Sequence, residues 1–376
     1  MQDLIQLRKE IHQHPELSGF EKETAKRVVN FIEPFGPDEI ITNVGGDGIL
    51  FVFNGKEPGK TVLFRAELDA LPIQEVNDFS YKSLTDNVSH KCGHDGHATI
   101  LCGLAKKLSS DRPQKGRIIL LFQPAEENGM GAVAMYNDEK FKPYHPDLAF
   151  ALHNLPGYPK NAIVVKDNTF TCAVNSIIIK LKGKTSHAAE PEFGLNPGQA
   201  IAAIIQSFER KNQPDFKSDD FAVLTLIYAH LGTKDYGISA GNGEVHYTFR
   251  RTRNDRMLEL ETTLEKTARI IAAQYKLDIE IEWTQQFKAN ENSSEAVDIV
   301  RKAVTNSGLT KIERDAPFKW GEDFGLFTEH FSGAMFGLGS GENVPALHNP
   351  DYDFPDEIIQ AGIDIFYNIS KVALDA

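Results

Sequence analysis

Four apolar segments spread along this 376-residue chain each run out, at the carboxyl end, into side chains that bind protons or metals. Residues 61–65 lead into Glu67 and Asp69. Residues 117–122, the continuous run Arg-Ile-Ile-Leu-Leu-Phe, lead through Gln-Pro-Ala into Glu126 and Glu127. Residues 147–152 end on His153-Asn154, and residues 334–338 are followed by a glycine-rich loop that delivers His348. Short apolar runs of this kind are what strands buried on both faces show. In open α/β sheets, ligands bind outside the carboxyl ends of such strands. The pattern predicts a mixed, mostly parallel sheet flanked by helices, with one crevice that gathers all four termini.

A fifth contribution comes from residues 90–97, His-Lys-Cys-Gly-His-Asp-Gly-His. Apolar residues at 100, 101, 104, 105 and 108 follow at helical spacing, so the cluster lies on a loop entering a helix. A helix N-terminus lowers a cysteine's pKa, and the expectation is thiolate at Cys92. Cys92 and His94 suit Zn²⁺ or a neighbouring transition metal; the competing reading is a polar loop with one cap and solvated histidines. Cys92, His94, Glu127, His153 and His348 together form a mixed sulfur, nitrogen and oxygen set, enough for two adjacent cations. Successive side chains at a strand end diverge, so Glu126 and Glu127 take different roles. One ligates, and the other takes a proton from water and passes it on; the alternative is two exposed acids in a loop. Asp69 is either an acceptor that orients a ligand or a strand-end cap.

Between these halves the order of elements changes. Strand 176–183, helix 197–210, strands 221–229 and 244–250, helix 255–275 and strand 277–284 follow the β-α-β-β-α-β order of the ferredoxin-like motif. The predicted organisation is a first catalytic segment over 1–174, an inserted α+β domain over 175–287, and a return to the first domain over 288–376. His187, at the end of the inserted domain's first strand, is a candidate to stabilise an oxyanion or else a surface histidine. Arg250, Arg251 and Arg253 are candidates for a substrate carboxylate or else a solvated strand end. His12, His14, His90 and His97 have no comparable context and read as structural or exposed. Ser18 and Glu21 have the spacing of a capping box for a helix over 21–35.

A net charge of −13 argues against a nucleic-acid partner, and no apolar run reaches the roughly 18 residues a membrane helix needs. The N-terminus lacks a signal peptide's apolar core. Three cysteines, at 92, 102 and 172, are too few for a disulfide framework. A reduced, cytoplasmic protein is expected.

Several motifs together resemble the M20 metallopeptidase family, in its amidohydrolase branch of hippurate hydrolases, N-acyl-amino-acid amidohydrolases and auxin-conjugate hydrolases. They are Leu-Arg-Lys-Glu-Ile-His-Gln-His-Pro-Glu-Leu-Ser near the start, Arg65-Ala-Glu-Leu-Asp-Ala-Leu-Pro, Cys92-Gly-His-Asp-Gly-His, Gln-Pro-Ala-Glu-Glu, Leu-His153-Asn, Gly-Glu-Asp-Phe and Leu-His348-Asn-Pro. The resemblance spans nearly the whole chain. It implies a catalytic domain with an inserted lid or dimerisation domain, and two divalent metal ions (Zn, Mn, Co or Ni) on Cys92, His94, Glu127, His153 and His348. It further implies Glu126 as general base and acid, Asp69 beside the metals, His187 as the lid histidine on the scissile carbonyl, and Arg251 as the lid-strand arginine. The implied reaction is cleavage of the amide bond of an N-acyl amino acid. A dipeptidase or carboxypeptidase, or a metal-dependent binding relative without catalysis, is the alternative. An edge strand of the inserted domain offers a route to a homodimer. Two features depart from the branch: Glu67 stands where aspartate is usual, and the lid segment reads Thr-Ser-His-Ala-Ala-Glu-Pro with Asn196-Pro after it.

Overall fold

The structure, a computed structural model, describes residues 1–218 and 220–374. It divides into two compact units: Met1–Phe170, Asn290–Asp315 and the residues from Glu322 onward form the first, Thr171–Ala289 and Ala316–Gly321 the second. Residues 316–321, which the sequence places in the closing segment, thus pack with the inserted unit.

The first unit is built on an eight-stranded sheet in the order Glu39–Val44, Gly48–Asn54, Lys115–Gln123, Glu57–Glu67, Leu148–Pro156, Ser332–Gly341, Ile163–Val165, Lys311–Glu313. The four central strands, Lys115–Gln123 through Ser332–Gly341, are mutually parallel, and antiparallel strands flank them. Parallel strands buried on both faces need apolar residues at every position, which is why Ile118 to Phe122 and Leu148 to Leu152 are all buried. Register sets Glu67 beside Gln123 and Gly337 beside His153, so the strands terminate side by side and present their C-terminal loops along one edge.

Helix His94–Ser110 packs in the same core through Ala98, Ile100, Leu101, Leu104, Ala105 and Leu108. Gly93 precedes it with φ +98, a region that a side chain rarely adopts. A Cβ there would also lie 2.7 Å from the Asn154 amide, so the approach of the loop to the strand requires glycine. Helices Gln2–Gln13, Ser294–Ser307 and Ile359–Leu374 bury their apolar stripes in this core as well.

The second unit is a four-stranded antiparallel sheet in the order Val223–Leu231, Asn242–Arg251, Ala173–Lys182, Asp278–Phe287. Helices Gly198–Glu209 and Asn254–Gln274 cover one face, with Ile201, Ile204 and Phe208 from one, and Leu260, Leu264 and Ala268 from the other, in its core. This is the ferredoxin-like order expected from the sequence. No helix among the described residues is long and apolar enough to cross a membrane.

Candidate metal centre

The central strands and the helix at His94 bring five sequence-predicted residues together. Ligand atoms of Cys92, His94 and His153 lie within 4.8 Å of one another, and so do those of Cys92, Glu127 and His348. Cys92 belongs to both groups. Its Sγ is 3.4 Å from His153 Nε2, while Glu127 Oε1 is 3.9 Å from His94 Nε2 and 3.8 Å from His348 Nε2. Glu126 Oε2 also lies 3.9 Å from His94 Nε2, and His94, Glu126 and Glu127 bring ligand atoms within 4.8 Å of one another, so the two successive carboxylates converge where the sequence predicts that they diverge.

The remaining ring nitrogens fix which atoms face inward. His94 Nδ1 donates to the Asp69 carbonyl at 2.9 Å and lies 3.2 Å from its carboxylate, which leaves Nε2 facing the other candidate donors. His153 Nδ1 donates to the Asn154 carbonyl, which turns Nε2 toward Cys92. Asp69 is therefore an orienting acceptor: Ser18 Oγ and the Glu127 amide also donate to it, at 2.7 and 2.9 Å.

A cation fits this donor set. His94 Nε2 and Glu127 Oε1 are buried, have no hydrogen-bond partner among the described residues, and stand too far apart to satisfy each other. Burial works against the His94 proton, yet the bond to Asp69 and the charges of Glu67 and Glu127 raise the ring to about 10. Burial lifts Glu127 to about 7. Both shifts express the same local demand for positive charge.

One expectation is reversed. Cys92 does lie at a helix N-terminus, but burial and the charges of Glu127 and Glu126 push its thiol well above the ordinary value. The helix dipole is outweighed because desolvation and two adjacent carboxylates act on the same atom. Nor do Ser18 and Glu21 form a capping box. Ser18 serves Asp69, and Glu21 Oε1 accepts from Gly19 N and from Ala125 N, which holds the left-handed Ala125 (φ +52) just ahead of the glutamate pair.

Behind Glu126 lies a buried charge network. Arg65 donates to Glu322 at 2.8 Å, to Asp323 at 2.6 Å, to Gln123 at 3.0 Å and to Glu67. Glu67, the departure from the family pattern, is also tied to His97 Nδ1 at 2.8 Å. Burial and Glu322 push Glu126 well above the usual carboxylate range. On the opposite side, Arg8 and His12 meet Asp95, Glu75 and Asp353. Their sequence signal is periodic: Arg8 and His12 share the buried face of the first helix with Leu4, Leu7 and Ile11. A charge on an apolar stripe announces a buried partner.

His187 and Arg251 belong to the second unit. His187 is exposed, and its Nδ1 accepts from Ala189 N at 3.0 Å. Arg251 is buried and donates through Nη1 to the Asp220 carbonyl, while its Nε has no partner among the described residues.

The sequence profile described as peptidase family M20/M25/M40 matches residues 63–371, and the chain belongs to that family of hydrolases. It is similar to the N-acetyldiaminopimelate deacetylase of Lactobacillus helveticus, with 29% identity over 360 residues covering 94% of this chain and 93% of the relative. It is also similar to the N-acetylcysteine deacetylase of Bacillus subtilis, with 27% identity over 373 residues covering 99% and 97%. Among solved structures, a dinuclear metal-binding peptidase of family M20 from Bacillus subtilis superposes with a TM-score of 0.85 at 25% identity, covering 100% of this chain and 98% of that one.

Proposed function

We propose that this protein hydrolyses the amide bond of N-acyl amino acids, giving a carboxylic acid and a free amino acid, with two divalent cations (Zn²⁺, Mn²⁺, Co²⁺ or Ni²⁺) held by Cys92, His94, Glu127, His153 and His348. The observation that carries this reading is the meeting of those five donors, from four separate stretches of chain, beside the spare carboxylate of Glu126. Bound there, the cations supply Lewis acidity, which polarises a carbonyl and lowers the pKa of water toward about 7.

Glu126 takes a proton from the attacking water and returns it to the leaving amine nitrogen, so that one O–H and one C–N bond break as one C–O and one N–H bond form. Asp69 holds His94 with Nε2 facing inward. His187 accepts from Ala189 at Nδ1, which leaves its proton on Nε2, the donor a developing oxyanion calls for. Arg251, with an unpartnered Nε, is the proposed anchor for the substrate carboxylate. The deacetylase relatives support a small N-acyl amino acid as substrate.

Three unpaired, buried thiols support a reducing, cytoplasmic setting. Strand Val223–Leu231 is an edge strand with Leu226, Ile227, Tyr228 and Leu231 exposed, which supports pairing with a second copy.

The test is Glu126→Gln, assayed on N-acetyl and N-benzoyl amino acids beside dipeptides. Turnover should fall by about 10²- to 10⁴-fold with cation content unchanged. Full turnover at full cation content removes Glu126 from the mechanism, and cleavage confined to dipeptides replaces the substrate class.

A further inference from the structure

Lys91 immediately precedes Cys92, and its side chain is wholly buried. Its ammonium donates to Glu75 Oε1 at 2.5 Å and to the Tyr352 carbonyl at 2.8 Å. Its own carbonyl accepts the amide N–H of His348 at 2.8 Å. The loop that follows strand Ser332–Gly341 is therefore fastened to the Cys92 loop at two points, and Val76 N, beside Glu75, donates to Pro350 O at 3.2 Å and ties it to that segment as well. The fastening continues inward, because the Asn154 amide donates to the Tyr352 hydroxyl and Asn154 follows His153.

His348 needs such support. Its side chain is 51% exposed, whereas those of His94 and Glu127 are 0% and 12%. Its φ of +65 lies in the left-handed region, which a residue with a Cβ enters only when the surroundings hold it there. An exposed side chain on a loop whose backbone is held at positive φ is not kept in place by its own packing. A buried ion pair is, moreover, a poor source of stability, since apolar residues of similar size serve as well. What an ammonium can do, and an apolar side chain cannot, is grip a carbonyl and a carboxylate at fixed positions at once.

We propose that Lys91, with Glu75, is a positioning residue: it pins the His348 loop against the Cys92 loop and so sets the affinity for the cation shared by Cys92, Glu127 and His348, while the cation of Cys92, His94 and His153 is left to rigid elements. The inference rests on the two-cation reading above.

The test uses the full chain stripped of metal and titrated with Co²⁺. Thiolate-to-cobalt absorption reports Cys92, and competition with a chelator gives the two affinities. In the double variant Lys91→Met with Glu75→Gln, the ammonium and its carboxylate leave together, the carbonyl of residue 75 can still accept from Ser83 N, and His12 keeps Asp95. One Co²⁺ should bind as in the natural chain and the other at least tenfold more weakly. His348→Ala should give the same split, and adding the double change to it should weaken binding little further, as expected of groups acting through one another. Glu75→Gln alone, which keeps the Tyr352 bond, should give a smaller loss at the same cation. Two natural affinities in the double variant, whatever its melting temperature, would overturn the proposal, as would equal weakening of both. Failure of the natural chain to take up two Co²⁺ would instead bring down the metal reading itself, and this inference with it.

Discussion

His12 provides a test of the buried charges that needs neither substrate nor metal. Its Nδ1 lies 2.8 Å from Asp95 Oδ2 and its Nε2 lies 3.0 Å from Glu75 Oε1, with all three side chains buried. Asp353 at 3.9 Å adds a third carboxylate, while Arg8 opposes them and the His90 ring lies tilted 6.3 Å away. Burial works against the imidazolium, but the bonds to Asp95 and Glu75 outweigh it and raise His12 from 6.5 to about 9. A raised folded-state pKa means that the folded chain holds this proton more tightly than the unfolded one. The stabilisation is therefore complete below the unfolded value and is lost as pH rises through the folded one. From (1 + 10^(9−pH))/(1 + 10^(6.5−pH)), it amounts to about 3 kcal/mol at pH 6, roughly half of that at pH 8 and next to nothing at pH 10. His12→Gln removes the titration while keeping a polar side chain. Urea unfolding of both proteins in excess chelator should give a stability difference that shrinks by about 3 kcal/mol between pH 6 and pH 10. A difference that stays constant over this range, or grows, refutes the buried imidazolium.

Arg65→Met strands Glu67, Glu322 and Asp323 without their cation. It should cost about 3–5 kcal/mol, read as a fall of roughly 10 °C in the thermal midpoint at pH 7, and less at pH 5, where the orphaned acids can protonate. If the exposed apolar edge of strand Val223–Leu231 pairs with a second copy, then Ile227→Lys should yield a monomer in sedimentation. A species of unchanged mass would place any dimer contact elsewhere.

The central sheet was legible because its strands are buried on both faces: a continuous apolar run such as 118–122 has few alternatives, and its neighbours' termini point to one edge. The inserted domain was legible because its strands and helices alternate at clear periods, with boundaries displaced by one to three residues. Strand Glu39–Val44, by contrast, is an exposed edge strand without alternation, and nothing in Glu-Ile-Ile-Thr-Asn-Val marks it. The candidate donors could be named from their place after strands or, for Cys92 and His94, at the entry to a helix. Their supports could not, because a salt bridge between Arg65 and Glu322, 257 positions apart, leaves no local trace. Glu21 shows the same blindness in miniature: its spacing from Ser18 suggests a local cap, and its carboxylate is used instead at Ala125, 104 residues away.

The balance of charge around the centre explains why the two supports differ in kind. On the side of Arg8, His12 and Lys91, three cations face Asp95, Glu75, Asp353 and Asp356, so each acid has a partner and the network acts as a fastening. On the side of Arg65, one guanidinium serves Glu67, Glu322 and Asp323, and the carboxylates of Asp69, Glu126 and Glu127 stand next to them. Such an excess cannot be held in a low-dielectric interior without protons or further cations. Burial accordingly raises Asp323 to about 8 despite the pull of Arg65. Two divalent ions on the adjoining sulfur and nitrogen donors would cancel that excess where it is greatest. A fold that concentrates negative charge at its strand ends is thus arranged to be completed by metal, and the paired charges on the far side keep the loops in place while it is.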